Sequence, residues 1–178
     1  MQEAPKLQAI VRKLAERHGV DLDRPGAYLR LDLAGHGQLV IENIGARRIS
    51  VVNYVQAGDV WLADPEIVVY AQHRPSKARP GTVEQKWFPI EITERYGGWR
   101  LCADLDPYGE LVLYDEADQM ELARYVEHVV APNLVAHGWL EHGERSTAPV
   151  RLWTPEEIWS RDIRVDELQL PSGEEAHL

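Results

Sequence analysis

Near the start of the chain, apolar side chains recur at Leu7, Ile10, Val11 and Leu14, a spacing of three and four that gathers them on one helical face. Pro5 suits the first turn of that helix, Arg17 and His18 suit its negative end, and Gly19 supplies a left-handed stop. DRPGAY then breaks the pattern with turn chemistry. From Tyr28 to Tyr114 the period drops to two. Leu29, Leu31 and Leu33 alternate with Arg30 and Asp32; GQLVIENI, RISVVNYV, EIVVYAQ, WFPIEITE, WRLCADL and ELVLYD follow, about seven strands in all. Links such as IGAR, YGG and DPYG are too short for a parallel crossover, so neighbouring strands must be antiparallel. Only the segment 73–86 is long enough to leave the sheet, and Asp64-Pro65 reads as a turn where a strand starts.

The helical period returns in DEADQMELARYVEHVVAPNLVAHG. Asp115 suits the N-cap, and Leu122, Val126, Val129, Val130 and Leu134 form an apolar side opposite Glu121, Arg124 and His128. Gly138 ends this helix, and Pro132 predicts a kink or split near residues 128–132. Further on, Thr154, Pro155 and Glu157 form a capping-box signature for a short helix carrying Ile158 and Trp159, before an acidic end. A helix that short is unstable alone, so Trp153, Ile158 and Trp159 must dock on the body, a partner or a second copy. The pattern as a whole predicts an α+β fold: an N-terminal helix, an antiparallel meander sheet, a kinked C-terminal helix packed on it, and a short helical tail. The boundaries expected are a single domain over 1–142 and an appendage over 143–178.

Composition narrows the function. With 44% apolar and 27% charged residues the chain is expected to be globular. No apolar run approaches the roughly 20 residues of a membrane span, and MQEAPKLQAIVRK lacks the order of a signal peptide, so no membrane and a cytoplasmic location are expected. The single cysteine, Cys102, excludes an internal disulfide and a multi-cysteine zinc site, and reads as a small buried side chain. The formal charge of −10 divides into 16 Lys/Arg against 22 Asp/Glu over 1–150 and 3 against 7 beyond. That field repels nucleic acid except at HRPSKARP, residues 73–80, where Arg74, Lys77 and Arg79 stand without an acid. Trp87 and Phe88 beside it suit recognition of a base, a phosphate or an acidic partner.

Candidate chemistry is sparse. Asp64, Glu84 and Lys86 have the residue types of a metal-dependent nuclease or phosphoesterase of the PD-(D/E)xK kind, in which carboxylates hold Mg²⁺ and the lysine polarises water. The same residues read as a strand-start turn and an exposed strand face, and the parallel sheet of that class is missing from the pattern. His128 and His137 lie nine positions apart and cannot share a helical face. His137 and His142 with Glu141 could converge on zinc, although His137 also suits a cation at the end of a helix. Asp104 and Asp106 at a hairpin end offer too few ligands for Ca²⁺. No nucleophile elbow, HExxH, phosphate loop or dinucleotide fingerprint occurs, and neither cofactor nor metal is expected.

GAYLRLDLAG, LVIENIGARRISVVNYVQAGD and DPEIVVY carry a resemblance. With Gly26 to Leu31, Ile41 to Ile44, Ile49 to Val51 and Tyr54, Asp64 to Glu66, and Trp87 with Pro89, residues 7–140 resemble a family of small uncharacterised bacterial, plasmid and phage domains. The resemblance implies a fold unit in a mobile-element setting and no catalytic residue. Asn53 stands where that family often has a histidine before the tyrosine, which argues against a catalytic histidine there. The HRPSKARP insertion and the tail beyond residue 150 look like additions to the family body.

The leading expectation is a non-enzymatic protein-binding or regulatory module, engaging a protein partner or a second copy through the sheet edge, the basic loop and the tryptophan-bearing tail. The alternatives are the nuclease or phosphoesterase above, and an acidic decoy that mimics DNA to counter a host defence.

Overall fold

The computed structural model describes residues 1–57, 60–76, 81 and 83–146. Met1–Ser146 form one compact unit. Helix α1 (Pro5–Arg17) buries Leu7, Val11, Leu14 and Ala15. No residue near its start caps it, because Ala4 occupies the N-cap position. The Glu127 carboxylate supplies the cap from far along the chain, its Oε1 accepting from the Lys6 N–H at 2.8 Å and the Leu7 N–H at 3.3 Å. These are the first-turn donors that a local cap would otherwise satisfy.

The alternating segment forms β1 (Tyr28–Leu33), β2 (Gly37–Gly45), β3 (Arg48–Ala57), β4 (Val60–Pro75), β5 (Val83–Glu94), β6 (Gly98–Leu101), β7 (Ala103–Leu105) and β8 (Leu111–Leu113), with β9 (Glu144–Arg145) near the end of the body. The main sheet has seven strands in the order β6-β5-β4-β3-β2-β1-β9, and its pairs are antiparallel. Leu29, Leu31, Leu39, Ile41, Val51 and Ile67 share the face turned toward the helices and are buried there.

Three details correct the expectations. Residues 73–75 and 83–86 stay in the sheet, since β4 and β5 keep pairing through His73↔Gln85 and Arg74↔Glu84 to Pro75↔Val83. Buried partners at Ala71 and Trp87 fix the register, and the strands continue past them. Asp64-Pro65 lies within β4, not at its start, opposite a register shift between Val52 and Tyr54. WRLCADL breaks at Cys102, whose N–H bonds to the Ile90 carbonyl at 2.7 Å and whose carbonyl accepts from the Tyr114 N–H at 2.9 Å. The chain therefore departs into a separate β7–β8 hairpin that packs Leu105, Leu111 and Leu113 over Val68, Tyr70 and Ile90. The seventh strand of the main sheet is β9.

Helix α2 (Glu116–Tyr125) starts as expected, with Asp115 accepting from the Asp118 N–H at 3.0 Å. A π-helical turn (Val126–Val130) follows, then α3 (Ala131–Ala136) and the short α4 (Trp139–His142). Pro132 has no N–H for the helical ladder, and the turn before it widens. The wider turn rotates Glu127 inward toward α1 and leaves Val129 at 40% exposure, which removes Val129 from the expected apolar side. Gln119, fully buried on α2, bonds through its Nε2 to the Gln2 and Pro89 carbonyls and accepts from the Gln2 N–H. Trp87 and Trp139 lie wholly inside the core. The short helix expected at 154–159, with Trp153 and Trp159, and the cations Lys77 and Arg79 fall outside the described residues. Among the described residues no helix is long and apolar enough to cross a membrane.

Candidate functional site

The long β4–β5 ladder separates Asp64, Glu84 and Lys86, the residues of the alternative nuclease reading. Asp64 precedes Arg74, the cross-strand partner of Glu84, by ten positions, which is roughly 30 Å of extended strand. Asp64 accepts from the Arg95 N–H at 3.3 Å, whereas Lys86 bonds to Glu3 at 2.7 Å and lies 3.8 Å from Glu84. Lys86 is thus tied to the start of the chain, and neither it nor Glu84 is brought beside Asp64. Trp87 is likewise taken out of any surface role by complete burial, and its Nε1 donates to Gln85 at 2.7 Å. Arg12 spans Gln85 and Asp23 there, and its guanidinium holds the Asp23 carboxyl below the usual carboxylate range. Arg74 remains exposed, across from Glu84 and 5.2 Å from the centre of the Phe88 ring.

What the fold does assemble is a cleft of about 910 Å³ at the opposite end of β4. The β1–β2 turn, the far ends of β3 and β4, the close of α3 and strand β9 build its walls. The β1–β2 turn ends at Gly37, whose φ of +86° and position 2.1 Å from the Tyr54 carbonyl oxygen, measured from where a Cβ would stand, leave room for no side chain. That close approach carries Trp61 onto the same wall.

Asp32 and Glu144 stand directly opposite one another in the β1–β9 register, and both line the cleft. Like charges in that position weaken a strand pair. Neither carboxylate has an ion-pair partner among the described residues. His36 and His137 stack beside them, ring centres 4.4 Å apart with planes at 23°. Burial and the neighbouring His36 push His137 below the ordinary histidine value, so it is not the helix-end cation the sequence suggests. His142 completes the imidazole side. Among the described residues no group of three or more His, Cys, Asp or Glu is placed to hold a metal ion.

Beneath the cleft lies a smaller cavity of about 120 Å³, and the two share Asn53 and His137. Asn53 donates from Nδ2 to the Asp64 carbonyl at 3.1 Å, while its buried Oδ1 has no partner. Tyr125, also lining the small cavity, is pushed up to about 12 by burial, a hydrogen bond to Glu94 and the charges of Glu94 and Asp64. Its hydroxyl is therefore a neutral donor.

On the sheet face away from the helices, Tyr28, Glu42, Ser50, Tyr54 and Glu66 fall close together by register, and the Ser50 hydroxyl donates to Glu66 at 2.9 Å. Burial pushes both phenols up, and Glu42 acts on each in the same direction. These are the polar positions of the Gly-x-Tyr-Leu-x-Leu, Glu-x-Ile, Ile-Ser-Val and Asp-Pro-Glu patterns. The chain matches no protein-family model, no curated protein and no solved structure.

Sequence reading missed the cleft because its parts come from β1 and its turn into β2, from β3 and β4, from the end of α3, from α4 and from β9, places with no common spacing. Asp32 itself reads only as a polar position of an alternating strand, beside Arg30.

Proposed function

We propose that this chain is a non-enzymatic protein-binding module whose cleft receives a basic segment of a protein partner. The observation that carries the reading is the opposed pair Asp32 and Glu144, two carboxylates opposite one another at the cleft with no ion-pair partner among the described residues. A lysine or arginine side chain between them would turn a repulsive strand pair into an attractive one. Trp61 on the facing wall adds an indole surface that suits a cation. His137, held below the ordinary histidine value by burial and the neighbouring His36, adds no lasting positive charge to the cleft at neutral pH. The net charge of −10 steers basic partners toward the molecule and repels a second copy, so the occupant is a different protein. The proposal includes the resemblance to small bacterial, plasmid and phage domains, which supports a fold unit in a mobile-element setting and names no reaction.

Calorimetric titration of the full chain with a capped tetralysine peptide tests this. Binding should weaken as salt rises and should be lost in the Asp32→Asn, Glu144→Gln double variant. Equal binding by the parent and the double variant would overturn the reading.

A further inference from the structure

The cavity under the cleft specifies more than charge. Its walls are mainly apolar, from Leu39, Val51, Pro65, Val130 and Leu134, with Val129 at the rim. At about 120 Å³ it is somewhat smaller than the roughly 150 Å³ of a dry apolar cavity that holds a benzene ring, so it fits a branched aliphatic group. One polar atom in it is unsatisfied. Asn53 Oδ1 is buried and accepts nothing, whereas its Nδ2 is committed to the Asp64 carbonyl, which fixes which end of the amide is free. A buried acceptor left unpaired costs about 1–3 kcal/mol, and a ligand that brings an N–H there recovers that loss.

Position connects this cavity to the cleft. Asn53 and His137 line both, so a chain lying in the cleft passes over the mouth of the smaller space. An aliphatic side chain next to a backbone N–H is what any peptide offers at a Val, Leu or Ile. We infer that the small cavity is a slot for an aliphatic residue flanking the basic residue of the bound segment, with Asn53 Oδ1 accepting that aliphatic residue's backbone N–H. The inference rests on the cleft being the binding site and adds a sequence preference to it: one cation beside one branched aliphatic residue. Neither feature alone would give selectivity, since the acidic pair takes any cation and the slot any small apolar group.

The test compares two capped dipeptide amides, Leu-Lys and Ala-Lys, titrated into the full chain and followed by NMR. The slot predicts that Leu-Lys binds roughly tenfold or more tightly, the effect of burying about three additional carbons against a partly open site. In Val129→Phe, which fills the rim from an exposed position, the preference for Leu-Lys should shrink toward unity, whereas Asn53→Ala should weaken both peptides, since each brings the same backbone N–H; melting curves establish that each variant is folded. Equal binding of the two peptides by the parent chain, with both still dependent on Asp32 and Glu144, would overturn the slot and leave the cleft reading standing. Binding of neither peptide would overturn both readings, and an undiminished Leu preference in folded Val129→Phe, or unchanged affinities in folded Asn53→Ala, would overturn the slot.

Discussion

Glu127 holds the backbone N–H of Leu7 at 3.3 Å across 120 positions of sequence, joining the π-helical turn to the first turn of α1. The same oxygen accepts from Lys6, so one buried side chain serves two donors. Removing it in Glu127→Ala should cost about 1–2 kcal/mol, the usual worth of an N-cap, and Glu127→Gln should cost less because an acceptor remains. For a body of this size that corresponds to a fall in melting temperature of about 2–4 °C per kcal/mol. Thermal unfolding of the two variants checks the order; an alanine variant as stable as the parent would refute the capping role.

This bond also marks the limit of what the sequence discloses. The alternation in β1, β2 and β3 is clear because one face must be apolar and the other need not be, and the spacing of Leu7, Val11 and Leu14 is clear for the same reason. Asp115 is legible as a cap because its partner Asp118 is three residues away. Glu127 is not legible, because the donor it serves lies on another element, and a widened turn was needed to aim it. The length of the β4–β5 hairpin was hidden by the composition of HRPSKARP, which looks like a loop while its first three residues still pair in the sheet. Strand β9 is too short to show a period at all. The cleft inherits this problem, since Asp32 gains its meaning only when Glu144 is set against it.

Two glycines of the β1–β2 turn separate conformational strain from steric exclusion. Gly35 has φ +79° with open space around it, whereas Gly37 has φ +86° and the Tyr54 carbonyl in its way. Gly35→Ala should cost about 1 kcal/mol, and Gly37→Ala should cost distinctly more, above about 2 kcal/mol, because backbone must also move. Denaturant titration measures both. Equal costs would mean that the close approach of Gly37 to Tyr54 does not shape the cleft wall.

The opposed carboxylates predict a gain in stability on removal of either one. Asp32→Asn or Glu144→Gln should stabilise the ligand-free protein by about 0.2–1 kcal/mol through relief of cross-strand repulsion, and should weaken capture of a basic peptide. Chemical unfolding of each single variant, beside the parent at low salt, reads this directly. A loss of stability in both would show that the two carboxylates are already compensated.

Acid should act through His137 and His18, both held below the ordinary histidine value, His18 by burial and then by Arg17 and Arg145. The unfolded chain binds these protons more readily than the folded one, so their contribution is intact above about pH 6.5 and declines as the pH falls from there toward the lower folded values. A proton on His137 also adds positive charge to the cleft, so peptide affinity should decrease as the pH falls below about 6.5. In His137→Gln both slopes should flatten. Unchanged slopes in that variant would exclude His137 as their source.

The most direct measurement is a titration of the isotope-labelled full chain with capped tetralysine, followed by amide and indole NMR shifts. The account predicts that Gly35, His36, Trp61 and Glu144 move together and saturably, and that Asp32→Asn with Glu144→Gln abolishes the response. Shifts confined to residues 84–87 and Arg74, or persisting in the double variant, would contradict it.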